Sequence, residues 1–332
     1  MRLLQRNREF EASFWMILGA LSFASMGAMT HALGDRCDWL IVAFVRAAFM
    51  CLTAVVLARL SGIRLVFARP RSLWIRSVAG SFSLVCNFYA LARLPLADAL
   101  TLTHTYPLWI VLLTALALRE VPSVWEWLGV FCGIAGIMLI EQPHMDGDSL
   151  ASTVALVSSF STAVAMLGLN RLRSVAPLAV IAHFAGVAAV ISATGLVLRP
   201  GVLKGLSTDG VTLLLMLGVT LTGTTGQYCL TKAYTNGKPA RMAVIGLTQV
   251  VFALGLDIAI WGRQIHTQMA LGFMLVLVPS AWLAGLNSAR IALLNRSRTE
   301  RLPELDDAPV TAADLEVAAG HNLAEPLLEE AL

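Results

Sequence analysis

FYALARLPLADALTLTHTYPLWIVLLTALALREVPSVWEWLGVFCGIAGIMLI, residues 88–140, decides the fold because it returns in altered form as QYCLTKAYTNGKPARMAVIGLTQVVFALGLDIAIWGRQIHTQMALGFMLVLVPSAWLAG, residues 227–285. At an offset of about 143 residues, Asp98 falls on Arg241, Pro107 on Val250, Glu120 on Arg263, Leu128 on Leu271 and Gly129 on Gly272. Identities are few, but both stretches read as a short loop, an apolar helix, a polar corner and another apolar helix. A weak internal repeat in an apolar chain is a mark of membrane proteins built from two structural halves.

Of the 332 residues, 57% are hydrophobic and 14% charged, and mean hydropathy is +0.74. A soluble globule of this composition would lack the polar surface to cover itself. A helix crosses roughly 30 Å of hydrocarbon with about 17 to 25 mostly apolar residues. Ten such stretches are expected: 13–33, 39–58, 74–92, 96–118 and 124–140, then 150–169, 178–198, 211–230, 240–261 and 269–286. The runs are continuously apolar, which excludes the alternation of barrel strands. The first run is too long for a signal peptide and lacks a convincing cleavage site, so it reads as an uncleaved anchor.

Lysine and arginine gather on one set of alternate connections, while the other set holds only Arg36, Arg93, Arg199, Lys204 and Arg263. In that count Arg76 belongs with the basic residues Arg59 to Arg71 of a connection. The bias predicts both termini in the cytoplasm, in a bacterial inner membrane. The expected organisation is a cytoplasmic N-terminus at 1–12, a first five-helix repeat at 13–140, a second at 150–286 and a cytoplasmic, disordered tail at 296–332. An odd number of crossings per repeat inverts the second copy relative to the first, which is the arrangement of an all-α polytopic membrane protein with a site near the midplane.

Candidate site residues are polar groups inside apolar runs. Arg46 interrupts AFVRAAF about 11 Å from one membrane face at 1.5 Å per residue; a guanidinium at such depth should face a polar interior or reach helix-end carbonyls. Asn87 and Tyr89 precede the Leu94-Pro95 corner, and Asp98, Thr101, Thr103, His104, Thr105 and Tyr106 follow it. Pro107 lacks an amide donor and crowds the carbonyl four residues earlier, so a helix kink is expected there. Trp109 lies well inside its run while most other tryptophans fall at span ends, as interfacial anchors do. Gln227 and Gln249 are the polar counterparts in the second copy. Asp257, a carboxylate within an apolar run, is the candidate proton-coupling group, with an interfacial or salt-bridged aspartate as its other reading. Cation and neutral polar groups together suit an anionic or zwitterionic metabolite. The five cysteines and six histidines have no ligand spacing, so no metal, cofactor or catalytic residue is expected.

FYALARLPLADALTLTHTYPLWIVLLTALALRE, the WLG and GIMLI that follow, AFVRAAF in the second run, and LTKAY and WGRQ in the second copy resemble the EamA-type members of the drug/metabolite transporter superfamily. The likeness covers about residues 13–290; Val250 stands where that family often has proline, and Arg263 where it usually has glutamate. The resemblance implies ten helices in two inverted five-helix repeats, a central cavity walled mostly by helices other than the fifth and tenth, and alternating access for a small metabolite, often by proton-coupled export. Arg46, Pro107 and Glu120 match its pattern without assigned ligand contacts. The expected partners are a small-molecule metabolite and the lipid bilayer, with no nucleic acid. A channel, a non-transporting scaffold and an intramembrane enzyme are the other readings.

Overall fold

The computed structural model describes residues 2–299 except Gly34, Asp35, Pro95, residues 144–147, Pro200, residues 203–208, Arg263 and Ile265, and the side chains of residues 2–7, Phe88, Leu91, Ala92, Leu96, Ala97 and 285–299 are left aside. Most of the expected tail, residues 300–332, lies outside the described residues. The described secondary structure is helical: α1 (Arg2–Leu33), α2 (Trp39–Leu60), α3 (Arg71–Arg93), α4 (Leu96–Thr103), α5 (Tyr106–Ala117), α6 (Val124–Glu141), α7 (Ser149–Asn170), α8 (Pro177–Leu198), α9 (Gly210–Asn236), α10 (Pro239–Gly246), α11 (Thr248–Trp261) and α12 (Thr267–Thr299). The described residues up to Asn287 form one compact unit.

Among the described residues nine stretches are long and apolar enough to cross a membrane, α4 with α5 and α10 with α11 each counting as one. The chain is thus an integral membrane protein. The expected crossing at 74–92 lies within α3, which is not among the nine. Two expected continuous helices, 96–118 and 240–261, are each divided in two.

Local chemistry sets the helix ends. Asp38 and Asp148 accept hydrogen bonds from the backbone amides of Leu40 and Leu150 at the starts of α2 and α7, supplying an acceptor to an otherwise orphan amide. Ser123 and Glu126 form a reciprocal capping box at the start of α6. Pro177 and Pro239 open α8 and α10, where the missing amide is no loss. Gly262 ends α11 at φ 66°, a left-handed turn that glycine adopts without steric strain.

The main helix contacts join the first half of the chain to the second. Helix α1 packs on α9 and α11, α2 on α8 and α9, α3 on α7 and α8, and α5 on α7 and α10. Large apolar side chains such as Phe82, Leu116, Phe131, Val190 and Leu214 remain exposed, the surface that hydrocarbon covers in a bilayer. Between α6 and α12 the backbones come together at Gly136 and Gly272, where a Cβ on Gly136 would lie 2.6 Å from the Gly272 carbonyl oxygen. Beside this crossing is an apolar groove of about 540 Å³ lined by Trp125, Leu128, Cys132, Leu271, Met274 and Trp282 among others. It has no polar group to orient a ligand and stands apart from the polar cluster described next.

Candidate functional site

The polar cluster begins at the break between α4 and α5. His104 and Thr105 separate the two helices, and Pro107 is the second residue of α5. Side chains at the break add bonds to carbonyls of the preceding turn that also keep backbone partners, the His104 and Thr105 amides donating to Leu100 and Leu102 at 2.9 and 3.3 Å. The Thr105 hydroxyl donates to the Leu102 carbonyl at 2.6 Å, Thr103 to Ala99 at 2.9 Å, and His104 Nδ1 bonds the Leu100 carbonyl at 2.8 Å. Threonine does the same at the break between α10 and α11, where the Thr248 hydroxyl donates to the Ile245 carbonyl at 2.7 Å.

The two breaks meet. Tyr106 at the start of α5 has its hydroxyl 3.0 Å from where a Cβ on Gly246, the last residue of α10, would stand; the Met16 methyl would overlap that atom as well. Tyr106 and Trp109 pack against a buried cluster that includes Met16, Leu230, Tyr234, Met242 and Ile245. Helices from both halves therefore close around these residues.

Helix α7 supplies hydroxyls that the sequence did not single out. Trp109 Nε1 and the Thr105 hydroxyl both donate to Ser159 Oγ at 3.0 Å, and the Trp109 ring meets Phe160 edge-on at 5.5 Å. One turn away Ser83 of α3 bonds Thr162 at 2.5 Å and Ser158 at 3.2 Å. These pairs lie 50 to 79 residues apart in sequence, so no local pattern could announce them.

The other expected residues are distributed around the bundle. Asn87 is half-buried, and its side-chain oxygen has no hydrogen-bond partner. Tyr89 lies nearer the end of α3, with the Arg93 guanidinium 5.4 Å from its ring. Gln227 is buried and its neighbour Tyr228 meets Trp15 edge-on at 5.9 Å. Gln249 is half-buried just beyond the second break, and Asp257 is half-buried near the end of α11. Arg46 lies where α1, α2 and α9 converge: its Nη1 donates to the Met26 sulfur at 3.2 Å, and its side chain runs past Gly223. Thioether sulfur is a weak acceptor, so this guanidinium is poorly matched by its neighbours.

Arg76 requires a correction. It is inside α3 and 2% exposed, not on a connection. Its guanidinium carbon is 4.1 Å from the centre of the Phe184 ring, and its Nε has no hydrogen-bond partner. A cation over an aromatic ring recovers about 0.5 to 2 kcal/mol of the cost of burying it. The neighbouring His183 is engaged: its Nδ1 shares a hydrogen bond with Ser77 at 2.7 Å, it meets the backbone of Phe67, and Trp74 packs edge-on at 4.6 Å.

Ion pairs among the described residues link the halves, Glu9 with Arg241 at 2.7 Å, largely buried, and Arg36 with Asp209 at 3.2 Å, exposed. Asn170 at the end of α7 donates to the carbonyls of Tyr234 and Gly237, both at 3.0 Å. Among the described residues no cluster of His, Cys, Asp and Glu could hold a metal ion.

Residues 11–142 match the EamA-like transporter family. The pseudopaline exporter CntI of Pseudomonas aeruginosa is 27% identical over 263 residues, covering 79% of this chain and 92% of the exporter. An uncharacterized transporter of Helicobacter pylori is 25% identical over 79% of this chain and 90% of its own length. A riboflavin transporter of Rhizobium johnstonii is 25% identical over 71% of this chain and 78% of its own. A solved crystal structure superposes with a TM-score of 0.73 at 19% identity, covering 85% of this chain and 99% of that one; this is a likeness of fold.

Proposed function

We propose that this chain, an EamA-type transporter of the drug/metabolite transporter superfamily, is a secondary active carrier that exports a small polar metabolite by alternating access. One observation carries the reading: two interrupted helices, one from each half, meet at Tyr106 and Gly246 beside the Trp109, Thr105 and Ser159 hydrogen bonds. Interrupted helices free backbone groups at membrane depth, and proteins tolerate that where a substrate or a wet cavity is served.

The ten-crossing arrangement in two inverted repeats is part of this proposal. It is supported by the packing: exchanging the halves maps the α1 and α9 contact onto that of α7 and α3, and returns α2 and α8 to themselves. In this reading the repeats are residues 13–140 and 150–286, both termini are cytoplasmic and the membrane is the bacterial inner one. Arg46, Asn87, Tyr89, His104, Trp109, Gln227 and Gln249 border the route, Pro107 helps shape the first break and Asp257 exchanges a proton.

Counterflow in proteoliposomes tests the proposal. Purified protein should exchange a labelled metabolite saturably, an imposed pH gradient should drive net movement, and Arg46→Ala or His104→Ala should slow exchange at least tenfold. Flux that rises linearly with concentration and gives no counterflow indicates a channel. Loss of neither rate nor affinity in both variants removes those two residues from the route.

A further inference from the structure

The transport route described above leaves Arg76 unused, although the fold accommodates it with care. A Cβ on Gly80, one turn along α3, would overlap the Arg76 Nη1, and one on Gly168 of α7 would press on the Arg76 backbone at 3.3 Å. The two glycines thus give the side chain room to lie along its own helix, and give α7 room to close over it. Phe184 of α8 covers the guanidinium. Three helices, α3, α7 and α8, therefore enclose a cation that remains 2% exposed.

What they do not provide is an anion. Among the described residues no carboxylate forms an ion pair with Arg76, and Nε donates to nothing. Ser77 and His183 are neighbours in sequence of Arg76 and Phe184, but they bond each other. Buried guanidinium groups are ordinarily matched by carboxylate or carbonyl oxygens, commonly two at once through the planar fork of donors. Contact with an aromatic ring compensates the charge while Nε is left without an acceptor.

We infer that Arg76 binds an oxyanion of the transported molecule, so the substrate is a small anion or zwitterion bearing a carboxylate or phosphate. The inference rests on the carrier reading, because a group this enclosed is reached only when α3, α7 and α8 move in alternating access. Phe184 then acts as the wall that holds the guanidinium, and a substrate oxygen supplies the acceptor that Nε lacks.

Equilibrium binding separates this from the carrier reading. Protein in neutral detergent is titrated calorimetrically with succinate, citrate and inorganic phosphate at matched chloride, and with choline as the cationic control. At least one oxyanion should bind saturably and choline should not. Arg76→Gln should weaken that binding at least tenfold, with Arg76→Lys between the two. In the wild-type protein, the bound anion should shield Arg76 from phenylglyoxal severalfold, read by peptide mass; this readout survives if the variants fail to fold. Binding unchanged in a folded Arg76→Gln protein, no binding by any of the three oxyanions, or equal binding of choline overturns the inference. So does protection of Arg76 by phosphatidylglycerol nanodiscs that soluble anions cannot relieve, which marks a lipid site. Absence of counterflow with Arg76-dependent binding intact defeats the carrier reading alone, whereas counterflow of a neutral compound untouched by Arg76→Gln defeats the inference alone.

Discussion

The first broken helix, α4 with α5, and the second, α10 with α11, divide at corresponding places in the repeat, yet their surroundings differ. In both, a threonine at the break, Thr105 or Thr248, donates to the carbonyl three residues earlier. The first break is wrapped in polar side chains, with Ser159 accepting from Thr105 and Trp109. Around the second, Leu247, Val250, Val251 and Leu254 pack into an apolar cluster with Ile137, Ile140 and Val276. Proline is present in one and absent from the other, since Val250 stands at the repeat position of Pro107. The break is thus a property of the backbone and its threonine, while the richer set of side-chain hydrogen bonds gathers at the first break, with Ser159 of α7 contributed by the second half. One break offers hydrogen bonds and the other a largely apolar surface.

The severest challenge to this contrast is Gly246→Val, which puts a branched side chain where Tyr106 and the Met16 methyl already stand. Overpacking of this kind costs about 1 to 3 kcal/mol, and because it separates the two breaks, counterflow should fall more than tenfold. Measured thermal unfolding in detergent together with near-normal exchange would show that the meeting of the breaks is incidental. Thr105→Val and Thr248→Val form the next test. The first deletes a hydroxyl shared between the Leu102 carbonyl and Ser159, for about 1 to 2 kcal/mol, although Ser159 keeps Trp109 and Leu156; the second deletes one local bond, for about 0.5 to 1 kcal/mol. Equal losses would mean that the polar surroundings of the first break add nothing.

Trp109→Phe removes the indole donor to Ser159 while keeping an aromatic ring against Phe160. A loss of about 0.5 to 1.5 kcal/mol is expected, with substrate affinity changed more than the maximal rate. The smallest effect belongs to Pro107→Ala, about 1 kcal/mol or less, because Thr105 still holds the Leu102 carbonyl and the break at the second site needs no proline. A circular dichroism or unfolding change as large as that of Gly246→Val would restore proline as the cause of the break.

Much of this protein was legible in one dimension, and the residues say where legibility stopped. Arg46 and Trp109 could be singled out because each is a polar or amphipathic side chain deep in an apolar run. Arg76 could not: two residues past a tryptophan at a span end, it read as one more basic residue of a connection, and only the enclosure by Gly80, Gly168 and Phe184 reveals its burial. Ser158 and Ser159 were hidden for another reason. In a stretch rich in Ser, Thr and Ala, composition announces close packing but not which hydroxyl finds a partner on another helix.

The sequence by itself determined that the chain lives in a membrane as a set of helices, because in hydrocarbon each crossing segment must satisfy its own backbone hydrogen bonds and only long apolar runs do so without loss. The tertiary structure alone decided which polar groups share a neighbourhood. Trp109 reaches Ser159, Tyr106 reaches Gly246 and Arg76 reaches Phe184, across separations that helix periodicity does not encode, since it orders residues within one helix and is silent about which helix packs beside it.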